Sequence, residues 1–282
     1  MLKAVEKGFV VLQYLVLIAV SFIAAVPVYS CVITSFKTTE ELSTKPFLSM
    51  PENWLNLENY QIMLESGYLR SLLITAFIVL ITVCISALLN AMVAYGLSRM
   101  EFRGKKLIYG LIVMASFIPA VTMQIYVFRV MVQLNLVNTM TGYVLILSCV
   151  DMVSIIIFSH YFSSIPKSID EAAYLEGCSA FDIFFRVHLP LLRQAFLTVA
   201  TIRGIYVYNE YYIANIYLLD RSKYQTVTTL LNMFNTPYGH GNKYNVISAG
   251  VMLVALPTIV VFVLCQKRIY NGLTSSKNTD II

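Results

Sequence analysis

Charge is scarce in this chain. Only 12% of its 282 residues are Asp, Glu, Lys or Arg, whereas a soluble domain carries about 25%. With so little charge the chain cannot cover a water-facing surface, which excludes an ordinary soluble globule. Cysteine offers no framework either. The five (Cys31, Cys84, Cys149, Cys178 and Cys265) are odd in number, scattered and without metal-type spacing. The three histidines, His160, His188 and His240, fall in separate segments and cannot share a metal, and no nucleophile motif accompanies them. No metal site and no enzymatic activity is therefore expected. The pattern G-x-x-x-x-G-K-[ST] is missing, so the chain has no phosphate-cradling loop of its own. No internal repeat is apparent, which argues against an ATP-independent secondary transporter built from repeated halves. The net charge of +5 sits at the flanks of apolar stretches instead of in one patch, and so does not point to nucleic acid.

What the chain has in abundance is apolar sequence, 58% of the total. A helix needs roughly 20 apolar residues to cross the hydrocarbon core. Six segments meet that requirement: 8–36, 71–98, 107–128, 141–166 with Asp151 interrupting it, 194–219 with Arg203 and Glu210 inside it, and 244–266. The expected class is thus an all-α membrane protein with six transmembrane helices. Pro27, Pro119 and Pro257 lie within these spans, where neighbouring helices can cover a kink.

Lys and Arg collect on the cytoplasmic side of a membrane. With the N-terminus inside, the inner set is Lys3, Lys7, Arg99, Arg103, Lys105, Lys106, Lys167, Arg186, Arg193, Lys267, Arg268 and Lys277. The outer set is Lys37, Lys45, Arg221, Lys223 and Lys243, so twelve stand against five. Both termini are expected in the cytoplasm. The organisation is one transmembrane domain over 1–282. It comprises a first helix with an extracytoplasmic segment (1–70), a five-helix core (71–267) enclosing a cytoplasmic loop (163–193), and a tail (268–282). The outer segment 37–67 carries five glutamates against two lysines and is too polar for lipid, which suits an interfacial cap or a partner surface.

The loop holds the densest local signals. Ser168 and Glu171 have the spacing of a capping box, with Asp170 and Glu171 at the positive end of the helix dipole. Gly177 suits a left-handed stop, which predicts a helix over 169–176. Ser179 and Asp182 repeat the start signal for a second helix, ending before Pro190. Two alanines, Ala172 and Ala173, leave the first helix open to close approach by another surface.

Glu171-Ala172-Ala173, then Gly177, then Val187-His188-Leu189-Pro190 resembles the EAA loop of ABC importer permeases. Further stretches resemble the carbohydrate-type, maltose-type second permease subunits of that family: Ala94-Tyr95-Gly96-Leu97-Ser98-Arg99 with Phe102-Arg103-Gly104-Lys105, Tyr208-Asn209-Glu210, and Gln266-Lys267-Arg268 with Gly272-Leu273-Thr274. Tyr208 stands where the family has Trp, Ala214 where Pro is frequent, and the tail from Ser275 departs from its usual ending. The resemblance implies the type I importer permease fold in a bacterial inner membrane. It also implies a heterodimeric second permease, a cytoplasmic ATPase dimer that binds the ATP, an extracytoplasmic solute-binding protein and a sugar or oligosaccharide substrate. It assigns Glu171, Ala172, Ala173, Gly177, Leu189 and Pro190 to ATPase coupling.

Ionisable groups inside spans mark functional positions by default. Here they are Arg129, Asp151, Arg203 and Glu210. Arg129 near a span end can simply snorkel. Asp151 can pair with Arg203 or Arg129 or line a wet cavity, and Arg203 and Glu210 lie two turns apart on one helix face. Tyrosines crowd the fifth span, and aromatic faces with polar edges suit a sugar ring. The candidate pathway residues are Tyr208, Asn209, Glu210 and Tyr212, with Asp151 and Arg203. The intramembrane arginines leave an anionic solute, a uronate-containing sugar or a glycerol phosphate, as the alternative cargo.

Overall fold

The computed structural model describes residues 2–235 and 243–274. His240, Lys277 and the tail from Ser275 lie outside the described residues. Within them the chain is helical, in the order α1 (Leu2–Ser35), α2 (Thr39–Thr44), α3 (Glu58–Glu65), α4 (Tyr68–Arg99), α5 (Lys105–Ser116), α6 (Ala120–Gln133), α7 (Met140–Leu147) and α8 (Met152–Ser164). Then follow α9 (Lys167–Leu175), α10 (Ala180–Leu191), α11 (Arg193–Tyr208), α12 (Tyr212–Tyr217), α13 (Val227–Met233) and α14 (Tyr244–Thr274).

Among the described residues three helices are long and apolar enough to cross a membrane alone: α1 over Val10–Ser35, α4, and α14 over Tyr244–Leu264. Three bent pairs pass the same test of length and composition together, α5 with α6, α7 with α8 at 55°, and α10 with α11 at 77°, which gives up to six spans if each pair counts as one. Two runs expected to be continuous are broken. The 107–128 run stops at Ser116, because Pro119 has no N–H to donate and pushes Ile118 out of helical geometry. The 194–219 run stops at Tyr208 and restarts at Tyr212, with Glu210 in the gap.

The chain forms two compact units. One holds the chain up to Leu69 together with Leu230–Ile259. Side chains of α1 from Val10 to Tyr29 are exposed throughout, as a helix surrounded by lipid requires. The polar 37–67 segment folds on a core of its own. Thr38 and Glu41 form a reciprocal capping box that starts α2. Lys37 is fully buried, its Nζ donating to Phe47 O (3.2 Å) and Ser49 Oγ (3.1 Å). Asn59 Nδ2 donates to the carbonyls of Ser35 and Lys37, each at 2.9 Å, and Asn245 Nδ2 donates to Asn59 Oδ1 at 2.9 Å. The buried amides of Asn59 and Asn245 and the Lys37 ammonium thus donate to carbonyls and hydroxyls within this unit, which lets a sequence too polar for lipid fold tightly.

The second unit holds Arg70–Thr229 and the described chain from Val260. Ala87, Ala91 and Ala94 line α4 and admit Phe158 and Phe162 of α8 and Ala195 and Val199 of α11. Small residues bring membrane helices close enough for dispersion and local polar contacts to hold them. A second cluster packs Ile78, Met131, Tyr143, Leu147, Val207 and Tyr217.

Candidate functional site

Two polar constellations stand out in the second unit, a hairpin (α9 and α10) and the break between α7 and α8.

The first hairpin helix begins at Lys167, two residues earlier than the spacing suggests, with Pro166 at the cap position and no side-chain cap. Ser168 therefore already lies inside the helix and does not form the expected box with Glu171. The stop falls at Gly177, whose φ is +82°. There Gly177 N–H bonds Tyr174 O and Cys178 N–H bonds Ala173 O, each at 3.0 Å, the paired pattern of a Schellman end. The second start signal is also realised. Ser179 and Asp182 cap each other, with the Ser179 hydroxyl 2.5 Å from the carboxylate, and this bond holds the Asp182 carboxyl below its ordinary value.

The second helix does not end before Pro190. Over Ile183–His188 it widens into π geometry and then runs on to Leu191, with Leu189 N–H donating to Phe184 O. Pro190 has no N–H to give to the preceding turn, yet it sits in the first turn of the closing segment, where its fixed φ is compatible with a helix. The outward side of the hairpin presents Glu171, Ala172 and Pro190, while Ala173 and Leu189 are half-buried. At the tip Leu175 is 90% exposed and Phe181 63%, apolar surface without cover in this chain.

The inward side is charged and buried. His188 is fully buried, with Nε2 2.5 Å from Asp170 Oδ1, and Asp170 Oδ2 is 3.3 Å from Arg99 Nη1. Arg99 Nη2 also donates to the carbonyls of Phe162 and Ile165, where α8 ends. Burial lowers the His188 pKa from its ordinary 6.5 against the pull of Asp170, so the ring is neutral and Nε2–H donates to the carboxylate.

At the second constellation, Asp151 Oδ1 accepts Ser154 N–H at 2.9 Å and starts α8, while Asp151 N–H donates to Asn90 Oδ1 at 2.9 Å. Arg203 donates to Leu147 O, the last residue of α7, and its Nε faces Asp151 Oδ2 at 3.6 Å. A cation thus sits at the carbonyl end of one half-span and an anion at the amide end of the next, each opposing a helix dipole. Arg203 also lies over the Tyr206 ring, 5.2 Å from its centre.

Of the expected pairings the structure selects Asp151 with Arg203. Glu210 is not on the helix of Arg203. It lies in the gap, where Oε1 accepts Ile213 N–H at 2.8 Å and starts α12. Asn209 and Tyr212 are exposed beside it, whereas Tyr208 is buried. Asn90, Arg99, Asp170 and His188 were not singled out as site residues from the sequence. Their partners are far away along the chain, and nothing local announces them. Among the described residues no group of three or more His, Cys, Asp or Glu is placed to hold a metal ion.

A family model described as binding-protein-dependent transport system inner membrane component matches residues 91–274. The arabinooligosaccharides transport system permease protein AraQ of Halalkalibacterium halodurans is 28% identical, over 90% of this chain and 91% of its own length. The polygalacturonan/rhamnogalacturonan transport system permease protein YtcP of Bacillus subtilis is 26% identical, over 95% of this chain and 96% of its own. Among solved structures, a bacterial ABC transporter involved in the import of the acidic polysaccharide alginate superposes with a TM-score of 0.81 at 21% identity, covering 93% of this chain and 96% of that one.

Proposed function

The chain belongs to the family of binding-protein-dependent transport system inner membrane components, and on that premise we propose that its hairpin takes up the stroke of a separate ATPase and that the pathway it helps to form carries an acidic carbohydrate. It is a carbohydrate-type ABC importer permease, a multi-pass protein of the inner membrane and not an enzyme. In the proposed assembly a second, homologous permease completes the pathway, a cytoplasmic ATPase dimer binds ATP, and an extracytoplasmic binding protein delivers the solute. The domain 1–282 acts as one permease, with both termini and the hairpin on the cytoplasmic side.

The observation that carries the coupling role is the outward side of the hairpin. It offers exposed Glu171 and Ala172, a Gly177 turn, and the uncovered Leu175 and Phe181. An apolar tip beside an ion-pairing group is the composition of a protein-docking surface. Copurification of the ATPase is expected to be lost on Gly177→Asp and on Glu171→Lys. Retention of ATPase binding and of transport in both variants would overturn the role.

For the cargo, support comes from the relatives. The polygalacturonan/rhamnogalacturonan permease and the alginate transporter are named for acidic polymers, and each aligns over nearly its full length. Arg129, exposed on α6, is the cation proposed to meet a carboxylate, since Arg203 is already answered by Asp151. Asn209, Glu210 and Tyr212, at the gap before α12, are proposed to meet sugar hydroxyls and C–H faces, with Tyr208 packed behind them. Asp151 and Arg203 set the shape of the bent span. The arabinooligosaccharide relative favours a neutral cargo as the second reading. Measuring which oligosaccharides the partner binding protein captures separates the two.

A further inference from the structure

Four helices of the second unit meet at one guanidinium. Arg99 is the last residue of α4, and its side chain is only 5% exposed. It holds the two carbonyls that close α8, Phe162 O and Ile165 O, and faces Asp170 of α9 at 3.3 Å. Asp170 in turn accepts from His188 of α10 at 2.5 Å. Tyr95, one turn before Arg99, packs its ring 5.4 Å from that of His188 and 5.3 Å from that of Phe184. Among the described residues Arg99 Nε and His188 Nδ1 have no hydrogen-bond partner.

We propose that Arg99, Asp170 and His188 are positioning residues that join the hairpin to the Arg99 end of α4 as one moving body. The stroke received by the hairpin is then delivered directly to α4, instead of only through the short 165–166 connection that leads into α9. The reason lies in the cost of parting the groups. A buried carboxylate and a buried guanidinium separate only by leaving each other unpaired in a low-dielectric setting, so the elements that carry them travel together. The residue type matters as well. A planar fork with several donors reaches two carbonyls and a carboxylate at once, which a lysine ammonium on a flexible stem does not do in one geometry. The π turn over Ile183–His188 completes the device by turning the imidazole inward beneath Tyr95.

This rests on the reading that the hairpin receives the motion of the ATPase, and the test keeps the two apart. Spin labels on Met100→Cys and Arg186→Cys, both exposed positions, in the assembled transporter with the native cysteines replaced by Ser, report the distance from the end of α4 to the second helix of the hairpin. The expected result is one narrow distance, identical in the nucleotide-free and the ATP–vanadate-trapped complex. A distance that shifts between the two states overturns the proposal in the unmodified lock. Arg99→Lys is expected to broaden the distribution and make it state-dependent while the ATPase still copurifies. An unchanged distribution in Arg99→Lys overturns the assignment to these residues. If Gly177→Asp and Glu171→Lys both leave ATPase binding and transport intact, the docking reading fails by itself, whatever the label distances show.

Discussion

His188 has no exposed surface, and its neighbours decide how it titrates. Asp170 and Arg99 are the charged groups against it, and Tyr95, Phe162 and Phe184 pack around it. Burial holds its pKa below 6.5 in the folded protein, so as the pH falls the unfolded chain takes up that proton first. The contribution of the neutral ring is therefore complete above about pH 6.5 and is lost progressively below it. Thermal unfolding of the wild type should show a stability that declines from pH 7 toward pH 5, and His188→Gln should flatten that slope. An equally steep slope in the variant would assign the effect to other groups. Gly142 is a different kind of constraint. A Cβ there would lie 2.1 Å from Leu136 O, a backbone atom that cannot rotate away. Gly142→Ala is expected to lower stability by about 1–3 kcal/mol, the range for forcing an extra methyl into a packed site. An unchanged melting temperature would show that α7 has room to move there.

At the level of helices, the bend between α7 and α8 assigns Asp151 two roles that two substitutions separate. Asp151→Asn keeps an oxygen to accept Ser154 N–H and loses only the charge facing Arg203. Asp151→Ala loses both, so it should be less stable than Asp151→Asn by about 1 kcal/mol, the usual worth of an N-cap. Equal melting temperatures for the two variants would remove the cap from the account. Asp151 and Arg203 keep partial exposure, 26% and 12% for their side chains. Losing the charge should thus cost less than the ~3–5 kcal/mol of breaking a fully buried pair. The same contrast between local and distant causes explains what could be read from the sequence. The apolar runs, the Gly177 stop and the Ser179–Asp182 box depend on residues a few positions apart, and they were legible. The Ser168–Glu171 box has the same spacing but loses to Pro166, which sets the helix start two positions before it applies. The break at Asn209–Tyr211 was hidden, because Glu210 reads as a charge within a span until its carboxylate is seen capping Ile213. The Asp170–His188 bond joins residues 18 apart, and the Arg99–Phe162 bond residues 63 apart. Spacing carries no trace of contacts that tertiary packing alone creates.

Across the whole transporter, the cargo proposal has a consequence for delivery. The 37–67 cap, on the outer side in the proposed topology, exposes Glu40, Glu52, Glu58 and Glu65. Of its two lysines, Lys37 is buried among carbonyls and Lys45 is taken up by Glu41 and Glu52, which leaves acidic residues in excess on the surface. A free polyanion approaching this surface is repelled over about 8 Å at physiological ionic strength. An acidic oligosaccharide therefore needs to arrive enclosed in its binding protein, and ATP-driven uptake of oligogalacturonate into proteoliposomes should be absent without that protein even at high solute concentration. With the binding protein present, oligogalacturonate should be taken up and a neutral arabino-oligosaccharide should not compete. Arg129→Gln should then cut acidic uptake about tenfold, which corresponds to ~1.4 kcal/mol of lost interaction, while ATP hydrolysis by the assembled complex persists. Capture and uptake of the neutral oligosaccharide alone would overturn the acidic cargo. The membership of the chain among the importer permeases would stand, because it rests on the family match over residues 91–274 and not on any solute.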